Sequence, residues 1–217
     1  MYSIKLPRLG YVTADNLFFT SDTHYGHENI MKLYCPNTRG HYANTDEMDA
    51  DMIAKWNQKA TSDSIVFHLG DFSMYDKHQR NHDILNQLVG LKIMILGNHD
   101  KMISRSREQY KKHFAFIGDY LEIKVGDDQQ RVVMHHFPYG SWHGMHRGSW
   151  NLHGHSHGTY PPFGKQLDVG CDSYFFENQN TCRLISYNEI ETYMNAREIQ
   201  CKDGHTVRLT KLGLINS

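Results

Sequence analysis

The chain predicts an α/β domain, and three observations carry that prediction. Short apolar runs recur at residues 17–20, 65–69 and 91–96, with the length and the Gly or polar boundaries of buried strands. Between them lie stretches with apolar residues at helical spacing, the strand–helix alternation that builds such a sheet. Each run also stops at side chains able to do chemistry, and open α/β sheets hold ligands beyond the carboxyl ends of their strands. At 217 residues one well-buried core is the default, so residues 1–217 are read as a single domain.

In chain order, residues 1–16 carry little pattern beyond an edge strand at 4–6. The run 17–20 enters Ser21-Asp22-Thr23-His24. Side chains two apart on an extended segment share a side, so Asp22 and His24 can address one ligand. A Gly/Asn/Pro-rich segment, 25–44, allows one short helix at 28–33. Thr45 is the expected N-cap of a helix reaching about 59: acidic residues crowd its first turn, and Met48, Met52, Ile53 and Trp56 recur at helical spacing. The strand at 65–69 ends in Gly70-Asp71. A helix at 77–88 crosses to the strand at 91–96, which ends in Gly97-Asn98-His99-Asp100, and another helix covers 101–112. Residues 120–125 and 130–135 form a hairpin, and Pro138 stops the second strand. Strands at 150–153, 167–170 and 181–186, a helix at 189–197 and a hairpin within 198–217, turning at Lys202-Asp203-Gly204, complete the chain. There is no internal repeat, low-complexity tract or linker.

Composition narrows the function. The formal net charge is -1, so nothing marks the whole chain as a polyanion binder. No run approaches the ~18 apolar residues of a membrane span, and the N-terminus lacks a basic region followed by an apolar core; the expectation is a cytoplasmic protein with no membrane contact. Cys35, Cys171, Cys182 and Cys201 are scattered without a Cys-x-x-Cys pair, which reads as reduced thiols. Histidine is the anomaly, with 16 residues.

Five strand ends collect these histidines with carboxylates and an amide: Asp22/His24, Asp71, Asn98/His99, His135/His136 and His155/His157. Singly, each has an ordinary explanation. Asp after Gly is a turn residue, Asn-His-Asp can cap the following helix, and a histidine beside an aromatic is a common core residue. Turns favour Asp, Asn and Gly but give no reason for paired histidines, so the succession points to a ligand-binding edge.

Taken as an ordered set, Asp22-Thr23-His24, Gly70-Asp71, Gly97-Asn98-His99-Asp100, His136-Phe137-Pro138 and Gly154-His155-Ser156-His157 resemble the signature of the calcineurin-like metallophosphoesterases. The opening Ser21-Asp22-Thr23-His24-Tyr25-Gly26-His27-Glu28-Asn29-Ile30, with His68-Leu69-Gly70-Asp71-Phe72, is similar to a small bacterial and phage-type subgroup. The likeness spans about residues 17–190. It implies a four-layer α/β/β/α sandwich with two mixed sheets. One divalent ion would be held by Asp22, His24, Asp71 and His157, and a second by Asp71, Asn98, His136 and His155. Imidazole and carboxylate ligands without thiolate suit divalent ions such as manganese, iron, zinc or nickel, and manganese is the ion expected first. His99, beside a ligand but outside the set, is implied as proton donor to the leaving group; its alternative role is to orient Asn98.

Some assignments stay open. The His-x-Pro spacing selects His136, while His135 is adjacent and faces the other way on a regular strand. His68 and His153 either bond to ligands or are ordinary strand residues. The segment 139–150 lies between two ligand motifs and is expected to pass near the ions. There Arg147 and His143, together with Asn98, are candidates to meet substrate phosphate, and the tryptophans are candidates to stack on a base or to rigidify the loop. His27, Asn29 and Arg39 are candidates to close the other side. Asp100 is accounted for by helix capping. The expected partner is a phosphate ester, with a nucleotide-type phosphodiester or nucleic-acid end ahead of a monoester; no obligate protein partner can be inferred. A non-catalytic scaffold of the same fold would have lost ligands, whereas every motif is filled. A closed structural zinc site needs only four ligands.

Overall fold

The computed structural model describes residues 14–173 and 182–200. The predicted edge strand at 4–6 and the hairpin turn at Lys202-Asp203-Gly204 lie outside them. In chain order the elements are β1 (Leu17–Thr20), a π-helical turn (Ile30–Tyr34), α1 (Pro36–Arg39), α2 (Thr45–Lys59), β2 (Ile65–His68), α3 (His78–Gln87), β3 (Leu91–Ile95), α4 (Lys101–Arg105), α5 (Arg107–Tyr110) and β4 (Phe114–Gly118). They continue with β5 (Tyr120–Val125), β6 (Gln130–His135), a 3-10 turn (Met145–Arg147), β7 (Trp150–His153), β8 (Gln166–Asp168), β9 (Ile185–Ser186) and α6 (Tyr187–Asn195).

Two mixed sheets result, with strand orders β4-β3-β2-β1-β9 and β5-β6-β7-β8. Strands β1 to β4 run parallel, which requires a crossover between neighbours, and the helices supply it. Leu17, Ile65 and Leu91 stand level, so the turns after β1, β2 and β3 leave the sheet along one edge. Alternate side chains serve different layers. Phe18, Val66 and Met94 pack with Met52, Trp56, Ile84 and Leu85 of the helices. Phe19, Phe67, Ile93 and Ile95 pack against Val132, Met134, Leu152 and Leu167 of the second sheet. Burial on both faces is why these strands read as continuous apolar runs. Helix α6, entered through a Ser186/Glu189 capping box, closes the inter-sheet core with Ile190 and Met194. The far face of the second sheet, at Val133, is covered by Trp142 and Met145.

Several expectations are corrected. The N-cap of α2 is Asn44, whose Oδ1 accepts the Glu47 N–H at 2.9 Å, and Thr45 is already helical. The predicted helix at 101–112 is two short helices broken at Ser106, and β4 follows where no strand was read. The helix expected at 28–33 is the π-helical turn. Cys171 and Cys182 are joined in a disulfide, against the reduced-thiol expectation; they stand eleven positions apart in sequence, and only the approach of the segments flanking β8 and β9 brings them together. Cys35 is a buried free thiol. Among the described residues no helix is long and apolar enough to cross a membrane.

Candidate metal centre

The turns beyond β1, β2, β3, β6 and β7 converge at one edge of the sandwich. Two groups of ligand-type atoms meet there, Asp22–His24–His157 and Asp71–His136–His155. The backbone is bent to put them there: among the described residues, six non-glycine residues have positive φ, and five of them are Asp22, His24, Asp71, His155 and His157. Left-handed backbone is costly for side chains with a Cβ and accumulates where function holds it in place.

The two carboxylates are mounted alike. Asp22 Oδ2 accepts the His155 N–H at 3.0 Å, and Asp71 Oδ1 accepts the His99 N–H at 2.8 Å. Each mounting needs a glycine next to the carboxylate. A Cβ on Gly154 would lie 2.2 Å from Asp22 Oδ2, and one on Gly97 would lie 2.2 Å from Asp71 Oδ1. The other oxygen of each faces imidazoles. Asp22 Oδ1 is 3.8 Å from His24 Nε2 and 3.9 Å from His157 Nε2. Asp71 Oδ2 is 3.6 Å from His24 Nε2 and 3.4 Å from His136 Nε2. Asn98 Oδ1 lies 3.1 Å from His136 Nε2 and 3.0 Å from His155 Nδ1.

This geometry fits cations. Separations of 3.6–3.9 Å are too long for hydrogen bonds, whereas two ligands each about 2.1 Å from one ion stand roughly 3–4 Å apart. Asp22 Oδ1 and His24 Nε2 are buried polar atoms with no hydrogen-bond partner, an expensive condition unless an ion meets them. Ring orientation is also fixed from behind. His136 Nδ1 is 2.8 Å from the Leu69 carbonyl, and His157 Nδ1 is 2.9 Å from Asp172 Oδ2, the arrangement that aims the opposite nitrogen of a ligating histidine. Asp172 is in turn gripped by Arg39 through Nε at 2.9 Å and Nη2 at 2.7 Å, and the same guanidinium donates to the carbonyls of Asp22 and Thr23.

Charge follows the packing. Burial pushes the Asp22 carboxyl up to about 7 and the His24 imidazole down to about 2. Burial also opposes charge on Asp71, His136 and His157, but their partners win. The bond to His136 holds Asp71 below the usual carboxylate range, Asp71 lifts His136 to about 9, and Asp172 lifts His157 to about 11. Cation binding at such a cluster releases protons.

Of the predicted residues, Asp22, His24, Asp71, Asn98, His136, His155 and His157 come together, and His99 stands beside them with Nε2 4.0 Å from Asp71 Oδ2. His135 turns away, bonding to Phe137 and stacking on Tyr139. The segment 139–150 does not pass the cluster. His143 is paired with Glu122, and the Gly148 carbonyl receives Gln130 Nε2. Gln130 begins β6 and His136 follows its end, about 20 Å away at ~3.3 Å per residue. Gly148, next to Arg147, is therefore at the end of the strand opposite His136, and His143 is held at mid-strand beside Glu122, so the structure brings neither Arg147 nor His143 to the ligand cluster as expected. The tryptophans of this segment pack, Trp142 over Val133 and Trp150 in the inter-sheet core. Arg39 is fully buried and closes no cleft.

Three further groups hold the ligand turns in place: His68 and Asp100, whose roles the sequence left open or read as capping, and Asp172, which it did not single out. His68 donates through Nε2 to the Thr23 hydroxyl at 2.9 Å and accepts the Gly70 N–H at Nδ1, tying two ligand turns together. Asp100 caps nothing with its side chain; it accepts the N–H groups of Asp71, Phe72 and Gly97. Asp172 follows the alternating stretch Leu167-Asp168-Val169 and Gly170, a Gly-x-Asp strand ending comparable to Gly70-Asp71.

Comparison with known proteins agrees with this arrangement. The chain is 28% identical over 207 residues to the Gene 66 protein of Mycobacterium phage L5, covering 83% of this chain and 94% of that protein. It is 29% identical over 145 residues to protein MJ1445 of Methanocaldococcus jannaschii, covering 66% of this chain and 70% of that one. The crystal structure of AQ665 from Aquifex aeolicus superposes with a TM-score of 0.60 at 23% identity, over 82% of this chain and 98% of that one, a likeness of fold. The family profile of calcineurin-like phosphoesterases matches residues 16–201, and the chain, with its two mixed sheets and converging ligand turns, belongs to that family of phosphate-ester hydrolases.

Proposed function

We propose that the chain is a binuclear metal-dependent phosphoesterase acting on phosphodiesters of nucleotide type. The observation that carries this reading is Asp71 Oδ2, 3.6 Å from His24 Nε2 in one ligand group and 3.4 Å from His136 Nε2 in the other, a position from which one carboxylate would serve both sites. Asp22, His24 and His157 would hold the first ion, and Asn98, His136 and His155 the second; the nitrogen-and-oxygen set suits manganese, iron, zinc or nickel, of which manganese is the ion proposed. Divalent ions there supply charge to neutralise phosphate oxygens and make water acidic enough to act near neutral pH.

The chain's own contribution is orientation and a proton. Asp172 and the Leu69 carbonyl fix two imidazoles before any ligand arrives, so no reorganisation is needed on binding. The His99 ring stays partly exposed beside Asp71 while its backbone N–H is committed to that carboxylate, leaving the imidazole to protonate the departing ester oxygen. Separate recesses flank the cluster on its His157 and His99 sides, which favours two ester arms over one. Metal analysis after manganese loading should find two ions per chain, with bis(4-nitrophenyl) phosphate hydrolysed, and Asp71→Asn should lose both metal and activity together. One tightly held ion with hydrolysis intact would refute the shared carboxylate.

A further inference from the structure

The two recesses differ in chemistry, and the difference bears on which half of a substrate goes where. On the His157 side lies a cavity of about 470 Å³ walled by Tyr34, Pro138, Thr159 and Tyr160, with His155 and His157 along its floor. Among the described residues neither a carboxylate nor a Lys or Arg lines it. Its aromatic walls are themselves seated: the Tyr34 ring lies 5.9 Å from that of His27, and the Tyr160 ring meets His153 edge-on at 6.2 Å. Tyr34 closes the π-helical turn and is 67% exposed. A large aromatic left in solvent beside a ligand cluster has its face available. On the His99 side lies a smaller cavity of about 230 Å³, lined by Ser73, Tyr75, Asn98, His99 and Lys101, with one fixed cation, Lys101. The recesses share no lining residue.

We infer that the site is asymmetric: the retained arm of a phosphodiester carries a nucleobase that lies against Tyr34 and Tyr160, and the departing arm, next to His99, carries a further anionic group that meets Lys101. The inference rests on the phosphoesterase reading and extends it to the kind of ester. Beyond the histidines committed to the ligand cluster, this cavity offers aromatic and small polar walls that accommodate a flat base, whereas a second phosphate finds its cationic partner in Lys101 of the other recess. Stacking on an aromatic wall is sequence-tolerant, so the retained base is selected as a base rather than by identity. The departing alkoxide appears on the side where His99 can protonate it.

The test compares two esters with the same leaving group, thymidine 5′-(4-nitrophenyl) phosphate and methyl 4-nitrophenyl phosphate, on the manganese-loaded enzyme. Tyr34→Ala and Tyr160→Ala should each raise KM for the thymidine ester about 10-fold, in keeping with the worth of one stacked base, and change the methyl ester less than two-fold. For the other arm, thymidine dinucleotides with a terminal phosphate at the 5′ or the 3′ end are compared with the unphosphorylated dinucleotide. One of the two phosphates should lower KM, and Lys101→Met should abolish that gain alone. Equal loss on both nitrophenyl esters, or no loss on either, overturns the base-binding arm. A phosphate gain that survives Lys101→Met overturns the anionic one. A wild type inactive on every ester, methyl 4-nitrophenyl phosphate included, overturns the phosphoesterase reading and the arms with it.

Discussion

The Asp100 carboxylate receives the backbone N–H of Asp71 at 2.7 Å, and through that bond sets the turn on which the central carboxylate stands. The same oxygen takes the Gly97 N–H at 2.7 Å and the other takes that of Phe72 at 2.9 Å. Asn at this position keeps the shape but offers one acceptor oxygen, so at least one buried N–H faces an amide NH2. Asp100→Asn should therefore cost about 1–3 kcal/mol of stability. It should also weaken manganese binding about 10- to 100-fold with every proposed ligand intact. Urea melts and metal titration check the two effects separately; lost stability with unchanged affinity would make Asp100 a structural residue only.

Arg39 and Asp172 make the second prediction. Both are almost completely buried, and Asp172 is held below the usual carboxylate range, since the Arg39 charge and its bonds to Arg39, His157 and Thr38 outweigh burial. Arg39→Met leaves that buried carboxylate with only His157 and Thr38 and removes its guanidinium, and should destabilise the fold by about 3 kcal/mol. Adding Asp172→Leu should recover part of the stability, because a buried pair replaced by apolar groups costs less than half a pair. It should not recover metal affinity, because His157 then has no carboxylate behind Nδ1. Recovery of both would mean that Asp172 does not orient His157.

What was legible in the sequence was whatever repeats locally. Strand ends rich in Asp and His could be read because each motif lies within a few residues; the His-x-Pro spacing selects His136, and strand alternation accounts for the opposite direction of the His135 ring. What failed depended on distance in space. Nothing near Arg39 in the chain announces Asp172, 133 residues away. Arg147 was placed by its position between two motifs, yet a long connection back to the start of a parallel strand must travel away from the edge it left, and β7 pairs with β6 from Val132 upward. The disulfide was hidden for the same reason, and β4 because its apolar run abuts the next strand at Asp119.

The third prediction concerns His99. Its backbone N–H bond to Asp71 survives replacement by alanine, so His99→Ala should leave metal content unchanged and remove only the imidazole. General acid catalysis contributes about 10²- to 10⁴-fold where a leaving group needs its proton. Loss on an alkyl diester should thus reach about 100-fold, while 4-nitrophenyl esters, whose leaving group departs unaided, lose under about 10-fold. Equal losses would assign His99 to positioning Asn98 instead.

The last prediction lies away from the centre. His82 Nδ1 and His113 Nε2 are 3.0 Å apart, a distance at which one ring donates and the other accepts, so the pair is comfortable with one proton between them. Burial, then the neighbouring charges of His82, Lys112 and Lys92, push His113 down to about 4, against about 6.5 in an unfolded chain. The folded state therefore binds this proton more weakly than the unfolded one. The stabilisation is complete above pH 6.5 and is lost as pH falls toward 4. Replacing His113 by Asn removes the titration. The melting-temperature advantage of the wild type over His113→Asn should be largest at pH 7.5 and shrink steadily by pH 4.5. The metal centre titrates in both proteins, so their difference isolates the pair, and an advantage that stays constant with pH would show that His113 keeps an ordinary proton affinity in the fold.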